Sequence, residues 1–368
     1  MRFGVIRKAG DFRPPRRRTS LPFFAAHLAA RKLAQPPLCA HKIYKTTNNF
    51  KYQYTALQPI MIVNPKTIAV LGALGGQGGS VINTFLSSAE GAFKVRGVSR
   101  SIDSPAAEAL MKRGVEMVAG NVKDPSSLSQ AFTGADTAFV VVNFWDPEIG
   151  KKEGEITNAI FDQAKKAGVK HVIFSSLANV DKISDGKINV PHFSLKAESW
   201  EYLQTLGFEA VTAVEPAAYF SNWFTFFKAT EDENGTLVWT WPGKKGNAFS
   251  QFDVSTGVGP SVLAVAQDPA KYNKRNILLE GEKIAVEDIV AKIAKKLDKP
   301  GRVHFEDPEK FATFFEGAQE LANMVKWFED YGYYGPETEA RTHRSGREIG
   351  GLISFDEWLE SGEYKKFM

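Results

Sequence analysis

Three groups of residues have the types and spacing to do chemistry. Gly72, Gly75 and Gly78 are spaced G-x-x-G-x-x-G, after the charge-free run 67–71 and before the helical pattern Val81, Ile82, Phe85, Leu86. A tight turn, a close approach of backbone to a phosphate and tight helix-on-strand packing each call for a residue without Cβ. The stretch Gly72, Ala73, Leu74, Gly75, Gly76, Gln77, Gly78 therefore reads as a pyrophosphate cradle, completed by the N–H groups and positive end of the following helix. No Lys follows the glycines, which excludes the GxxxxGK phosphate loop and ATP hydrolysis of that type.

The second group is Ser99-Arg100-Ser101, at the end of the strand read over 93–100, with no acid until Asp103. A carboxylate there would select NAD by binding ribose hydroxyls, whereas a guanidinium binds a 2′-phosphate through paired charge-assisted hydrogen bonds. NADP(H) is accordingly expected over NAD(H). The third group is His192 and Lys196, four residues apart on one helix face. An ammonium at 196 can bind nicotinamide ribose hydroxyls. Short-chain dehydrogenases place a Tyr four residues before that Lys, and here His192 holds its position. Imidazole can pass protons, but it is shorter than a phenol and its charged form is repelled by a neighbouring ammonium. Lys196 and His192 are the catalytic candidates, and Lys196 is also a cofactor contact.

These groups need a frame that brings them to one edge. Strands read at 67–71, 93–100, 115–118, 137–142, 171–176 and 208–214 alternate with helices opened by Ser104-Pro105 and Asp124-Pro125, a helix over 155–167 and the lysine helix. That rhythm predicts an α/β, Rossmann-type doubly wound parallel sheet with right-handed crossovers and a smaller α-rich C-terminal domain. Ligands of such sheets lie beyond the carboxyl ends of the strands, where Gly72, Arg100, Asn121, Asn143 and Ser175 fall. The division expected is a dinucleotide domain over 61–225 with a returning segment at about 250–283. Residues 226–249 and 284–368 then form the smaller domain, with a substrate pocket between. A helical stretch is expected from about Pro260 to Gln267. The aromatic run from Tyr219 to Phe227 reads first as core between domains. Asp253, His304 and His343 stand apart, without metal-ligand spacing, and no metal site is expected.

Composition narrows the classes further. Apolar residues at 43% and charged residues at 24% suit a globular chain. No apolar run exceeds five residues, as at 138–142, so no membrane-spanning helix is expected. A single cysteine, Cys39, precludes a disulfide framework. The net charge of +4 hides an asymmetry: residues 1–60 hold twelve Lys or Arg against one acid, Asp11, or +11, leaving −7 on the rest. A body at −7 disfavours direct nucleic-acid binding. The basic extension reads as a mitochondrial presequence, a dispensable or misassigned start, or a basic interaction arm.

Together these residues resemble the NmrA-like family, the atypical short-chain dehydrogenases that include the fungal nitrogen metabolite repressor. The resemblance rests on Gly72-Ala-Leu-Gly-Gly-Gln77-Gly, Val95-Arg-Gly-Val-Ser-Arg100, Gly120-Asn121, Asn143-Phe-Trp145, His192-Phe-Ser-Leu-Lys196 and Tyr219-Phe-Ser-Asn222, with Glu320-Leu-Ala-Asn-Met and Tyr331-Gly-Tyr-Tyr-Gly335 further on. It implies that residues 72–77 line the pyrophosphate and Arg100 takes the 2′-phosphate. Asn121 would border the adenine, and Asn143 and Phe144 the ribose side; Val122 and Ser175 are further cofactor-binding candidates. Lys196 would bind the nicotinamide ribose, with Tyr219, Phe220 and Asn222 near the nicotinamide end. Leu74 stands where the family often has Thr, and Asn121 where it often has Asp. Functionally the resemblance implies a regulator that senses nicotinamide dinucleotide redox state through a protein partner such as a transcription factor, in the cytoplasm, the nucleus or both. The alternative is an NADPH-dependent reductase of a small carbonyl or enone that uses Lys196.

Overall fold

Short β-branched runs punctuated by glycine and capped helices give alternating strands and helices. In the computed structural model residues 65–88, 93–342 and 344–368 are described; the basic extension 1–60 and His343 lie outside the described residues. The first half runs β1 (Lys66–Leu71), α1 (Gly76–Ser87), β2 (Phe93–Ser99), α2 (Pro105–Lys112), β3 (Glu116–Ala119), α3 (Ser129–Phe132), β4 (Thr137–Val140), α4 (Glu153–Lys166), β5 (His171–Ser175), α5 (Val180–Ile183), α6 (Pro191–Leu203) and β6 (Ala210–Pro216). Ser104 caps α2 as its side chain accepts the Ala107 amide, and Pro105 fills the first turn where no N–H is needed. Asp124-Pro125 opens a 3-10 turn, Pro125–Leu128, that runs into α3.

The second half contributes β7 (Ala218–Tyr219), β8 (Thr230–Glu231), β9 (Leu237–Trp241), β10 (Ala248–Phe252), α7 (Val254–Gln267), α8 (Pro269–Tyr272), β11 (Arg275–Leu279), β12 (Glu282–Ala285), α9 (Val286–Leu297), β13 (Gly301–Phe305), α10 (Pro308–Phe311), α11 (Ala318–Tyr331), β14 (Arg341–Thr342), α12 (Arg344–Ile349) and α13 (Phe355–Ser361). Eight strands form one sheet in the order β14-β11-β6-β5-β4-β1-β2-β3, with every pairing parallel. Chain order reverses between β1 and β4, which sets the ligand crevice of a doubly wound sheet there. Both faces are covered: Ile68 and Val70 of β1 pack with α1 and α7, while Ala69 and Leu71 pack with α3, α4 and α6. Runs apolar on both sides are what a buried parallel strand requires.

Several details differ from the sequence reading. The smaller region is not helical alone, for it carries two three-stranded sheets, β12-β10-β7 and β13-β9-β8. The C-terminal part also returns to the large sheet, since β14 pairs with β11 in parallel. The tie there is ionic. Glu215 on β6 is fully buried and its carboxylate accepts from Asn276 and, at 2.7 Å, from the Arg341 guanidinium.

Helix α7 begins at Val254, six residues before the Pro260 that marks its expected start. Asp253 caps it, accepting the Thr256 amide at 3.0 Å. Helices α1 and α7 then touch through small residues. The Ser80 hydroxyl donates to Ser255 O at 2.8 Å and accepts from the Gly259 amide at 2.9 Å. Those two backbone groups are the i and i+4 partners of a straight helix, so a hydroxyl from α1 is inserted into the ladder of α7. A Cβ at Gly259 would fall 2.4 Å from Ser80 O.

Candidate functional site

The turn after β1 is built as its glycines suggest. Gly72 has φ +67°, its carbonyl accepts the Gly75 amide at 2.8 Å, and a Cβ at Gly78 would lie 2.2 Å from that same carbonyl oxygen. The first glycine is needed for conformation and the third for contact. Gly72, Leu74, Gly75 and Gly76 face solvent in a cleft of about 740 Å³ at the carboxyl edge of the sheet. No side chain caps α1 and its first turn holds no acid, so its amides are left for an anion. Gln77 donates to the Tyr219 hydroxyl at 2.7 Å, and its buried Oε1 has no hydrogen-bond partner. Burial raises the Tyr219 pKa, which makes this phenol a poor stand-in for the absent catalytic tyrosine.

Beyond β2, Arg100 lines the cleft and is mostly exposed. Two residues missed in sequence join it. Asp146, from the loop after β4, lies 3.9 Å from Arg100 and 3.3 Å from Lys123, which also pairs with Glu148. The Glu148 amide, then Lys123 and Arg100, hold the Asp146 carboxyl below its usual range. A carboxylate thus reaches the Arg100 position from a distant segment, which tempers the selectivity expected from β2 alone.

At the opposite end, Lys196 is half-buried on α6. Its ammonium donates to Val142 O at 3.0 Å and to the carboxylate of Glu153 on α4. Glu153 is fully buried; desolvation raises its pKa, and the charge of Lys196 opposes that. One turn earlier His192 Nδ1 lies 2.6 Å from Glu320 Oε1 of α11, and the His192 amide donates to the same oxygen at 2.9 Å. Burial depresses the His192 pKa, Glu320 raises it and Lys196 lowers it. Its ring sits 5.0 Å from Trp145, 5.8 Å from Phe144 and 4.8 Å from Phe193, centroid to centroid. Phe226, Phe249, Leu321, Met324 and Phe328 complete an apolar wall beside it.

Most of the expected residues are brought together. Gly72 to Gly78, Arg100, Val122, Asn143, Phe144, Ser175, His192, Lys196, Tyr219 and Asn222 all line the cleft. Two do not. Asn121 turns inward, its Oδ1 accepting the Lys123 amide at 3.1 Å, while Gly120, Val122 and Lys123 form the wall. Phe220 is fully buried against Phe355 and Trp358, because the 3-10 turn Phe220–Trp223 points it away from the edge that Tyr219 and Asn222 face. Of the aromatic run, Phe220, Trp223 and Phe224 are core, and Phe226 and Phe227 reach the cleft. Glu153 and Glu320 are further residues missed in sequence. A carboxylate that meets its partner only through tertiary packing leaves no local spacing to read. Among the described residues no cluster of metal-ligating side chains occurs, and no helix is long and apolar enough to cross a membrane.

Sheet order, glycine turn and lysine helix define a Rossmann-type protein of the short-chain dehydrogenase kind that lacks the tyrosine. The sequence profile of the NmrA-like family matches residues 64–359, and the chain belongs to that family. It is 31% identical over 278 residues to the NmrA-like family domain-containing oxidoreductase FrzB of a Cladobotryum species, covering 71% of this chain and 82% of that one. It is 32% identical over 237 residues to the oxidoreductase himF of Aspergillus japonicus, covering 61% and 70%. Among solved structures it is similar to NmrA, a negative transcriptional regulator in complex with NADP, with TM-score 0.69 and 23% identity over 83% of this chain and 98% of that one. The Citrobacter triphenylmethane reductase complexed with NADP(H) gives TM-score 0.64 and 17% identity over 80% and 99%. At these identities the structural likenesses speak to the fold.

Proposed function

We propose that the chain binds NADP(H) in this cleft and is an NADPH-dependent reductase of a small carbonyl or enone. The observation that carries the reading is Lys196, a half-buried ammonium that lines the cleft and is fixed between Val142 O and Glu153. The exposed glycines and the uncapped amides of α1 fit a dinucleotide pyrophosphate. Arg100 and Lys123 suit a 2′-phosphate, and Lys196 has donor capacity left for ribose hydroxyls. When bound, the dinucleotide supplies a hydride; the protein orients it and excludes water with the aromatic wall. NmrA solved with NAD and with NADP, and relatives named oxidoreductases, support the same reading.

Titration calorimetry with all four nicotinamide dinucleotides, followed by NADPH oxidation against carbonyl and enone compounds, tests it. Saturable binding with turnover abolished in Lys196→Ala is expected; no binding defeats the proposal. A second reading, a redox-state sensor acting through a protein partner such as a transcription factor, draws on the exposed apolar rim of Leu74, Trp145 and Phe226. It is favoured instead if NADP(H) binds, nothing is turned over, and a partner's affinity differs between the oxidised and reduced forms.

A further inference from the structure

We propose that His192, positioned by Glu320, delivers the proton to the oxygen of a neutral, flat aromatic carbonyl or quinone seated in the cleft. The proposal deepens the reductase reading and rests on it.

Glu320 Oε1 takes two donors from one residue, the His192 amide at 2.9 Å and the ring Nδ1–H at 2.6 Å. The amide contact alone would be a helix cap, since His192 lies in the first turn of α6. The ring contact goes further. It fixes the Nδ1–H tautomer and the ring plane, and Nε2 has no protein partner among the described residues. A carboxylate-oriented imidazole with its second nitrogen open to a cleft is the arrangement proton transfer needs. Glu320 lies 128 residues away, so α11 finishes a site begun on α6.

The substrate class follows from the walls. Phe144 and Trp145 flank the imidazole, and Phe226, Phe249 and Met324 line the same cleft. Lys196, the cation on the same helix, is already matched by Glu153 and offers a substrate carboxylate or phosphate no unpaired charge. A neutral planar ring system stacks on such walls. In the step, hydride leaves the reduced dinucleotide with its electron pair and bonds to the carbonyl carbon. The C=O π pair moves to oxygen, which takes the proton from Nε2–H of the imidazolium. The dinucleotide ends oxidised, the carbonyl reduced, and neutral His192 regains its proton from solvent. The charged groups facing His192 are Glu320 from α11 and Lys196 on its own helix, with Glu153 of α4 behind Lys196; the rings of Phe144, Trp145 and Phe193 carry no charge.

The full chain with ¹⁵N-labelled histidine gives a readout that needs no turnover. The imidazole lost from the spectrum in His192→Asn should hold its neutral-form proton on Nδ1, and Glu320→Gln should mix its tautomers and lower its pKa. With 9,10-phenanthrenequinone and NADPH, His192→Asn should lower kcat/KM by about 100-fold or more, with NADPH affinity held within about threefold. Glu320→Gln should lower kcat/KM by about tenfold and move the alkaline limb of the pH profile to lower pH, because the imidazolium loses its carboxylate. A purely structural Glu320 would lower Tm and leave both limb and tautomer in place, which overturns the proposal. So do unchanged turnover in His192→Asn, NADPH binding without quinone turnover, or faster turnover of 2-cyclohexen-1-one than of the quinone. Failure to bind NADPH at all would instead bring down the underlying reductase reading.

Discussion

Lys196 and Glu153 depend on each other more than either depends on solvent. Lys196→Ala strands a buried carboxylate, at a cost of about 3–5 kcal/mol. Without the ammonium, desolvation and then the charge of Glu320 hold Glu153's folded pKa above its unfolded value; stability is then retained below the unfolded pKa and lost as pH rises toward the folded one. Urea unfolding should therefore show the variant weaker at pH 8 than at pH 5, with Glu153→Gln in the same chain removing that dependence. At the other end of the cleft, Arg100→Ala should weaken NADP binding about tenfold and NAD binding little. Asp146→Asn should tighten NADP, because it frees Arg100 and Lys123 from a competing anion. Calorimetry on both variants checks this pair, and equal losses for NADP and NAD in Arg100→Ala would contradict it. Residues whose chemistry is local, namely the glycines, Arg100 and Lys196, were legible in the sequence. Their carboxylate partners Asp146, Glu153 and Glu320 come from loops and helices that no spacing rule connects to them.

The contact between α1 and α7 makes its own demand. A Ser80 hydroxyl spliced into the α7 ladder satisfies Ser255 O and the Gly259 amide together, so Ser80→Ala should cost about 1–3 kcal/mol. Gly259→Ala should cost more, since Thr84 can rotate away but the Ser80 carbonyl cannot. Denaturation midpoints rank the two, and a Gly259→Ala protein as stable as the parent would refute the close approach. Element types were readable where cap and period agreed, as at Ser104 and over β1 to β6. At α7 the helix and its end were readable but its start was not, because Pro260 resembles a helix start and lies inside a helix capped earlier by Asp253. Phe220 failed as a site residue, since its burial depends on a single 3-10 turn. The small sheets β12-β10-β7 and β13-β9-β8 draw on strands as short as two residues, below the reach of any periodicity.

Across the molecule, acid should loosen the fold from its centre. His171, buried on β5 with Nε2 3.3 Å from Thr212 Oγ1, has its pKa pushed down to about 4, chiefly by burial and then by Lys66. The unfolded chain takes up that proton near the ordinary imidazole value of 6.5 and the folded chain only near 4, so stability is full above the upper value and declines between them as pH falls. His171→Leu should flatten that decline in denaturant titrations at pH 7 and pH 5, as the Thr212 hydroxyl keeps the Tyr272 carbonyl as acceptor. The Glu215 bridge bears on how the protein is made. A ribosome releases β6 and its carboxylate long before Arg341, 126 residues downstream, has been added. Until then the growing sheet harbours an anion that Asn276 meets without the guanidinium. Final consolidation of the parallel layer should therefore be a late, near post-translational event, and chains that stall short of Arg341 should be ready prey for proteases.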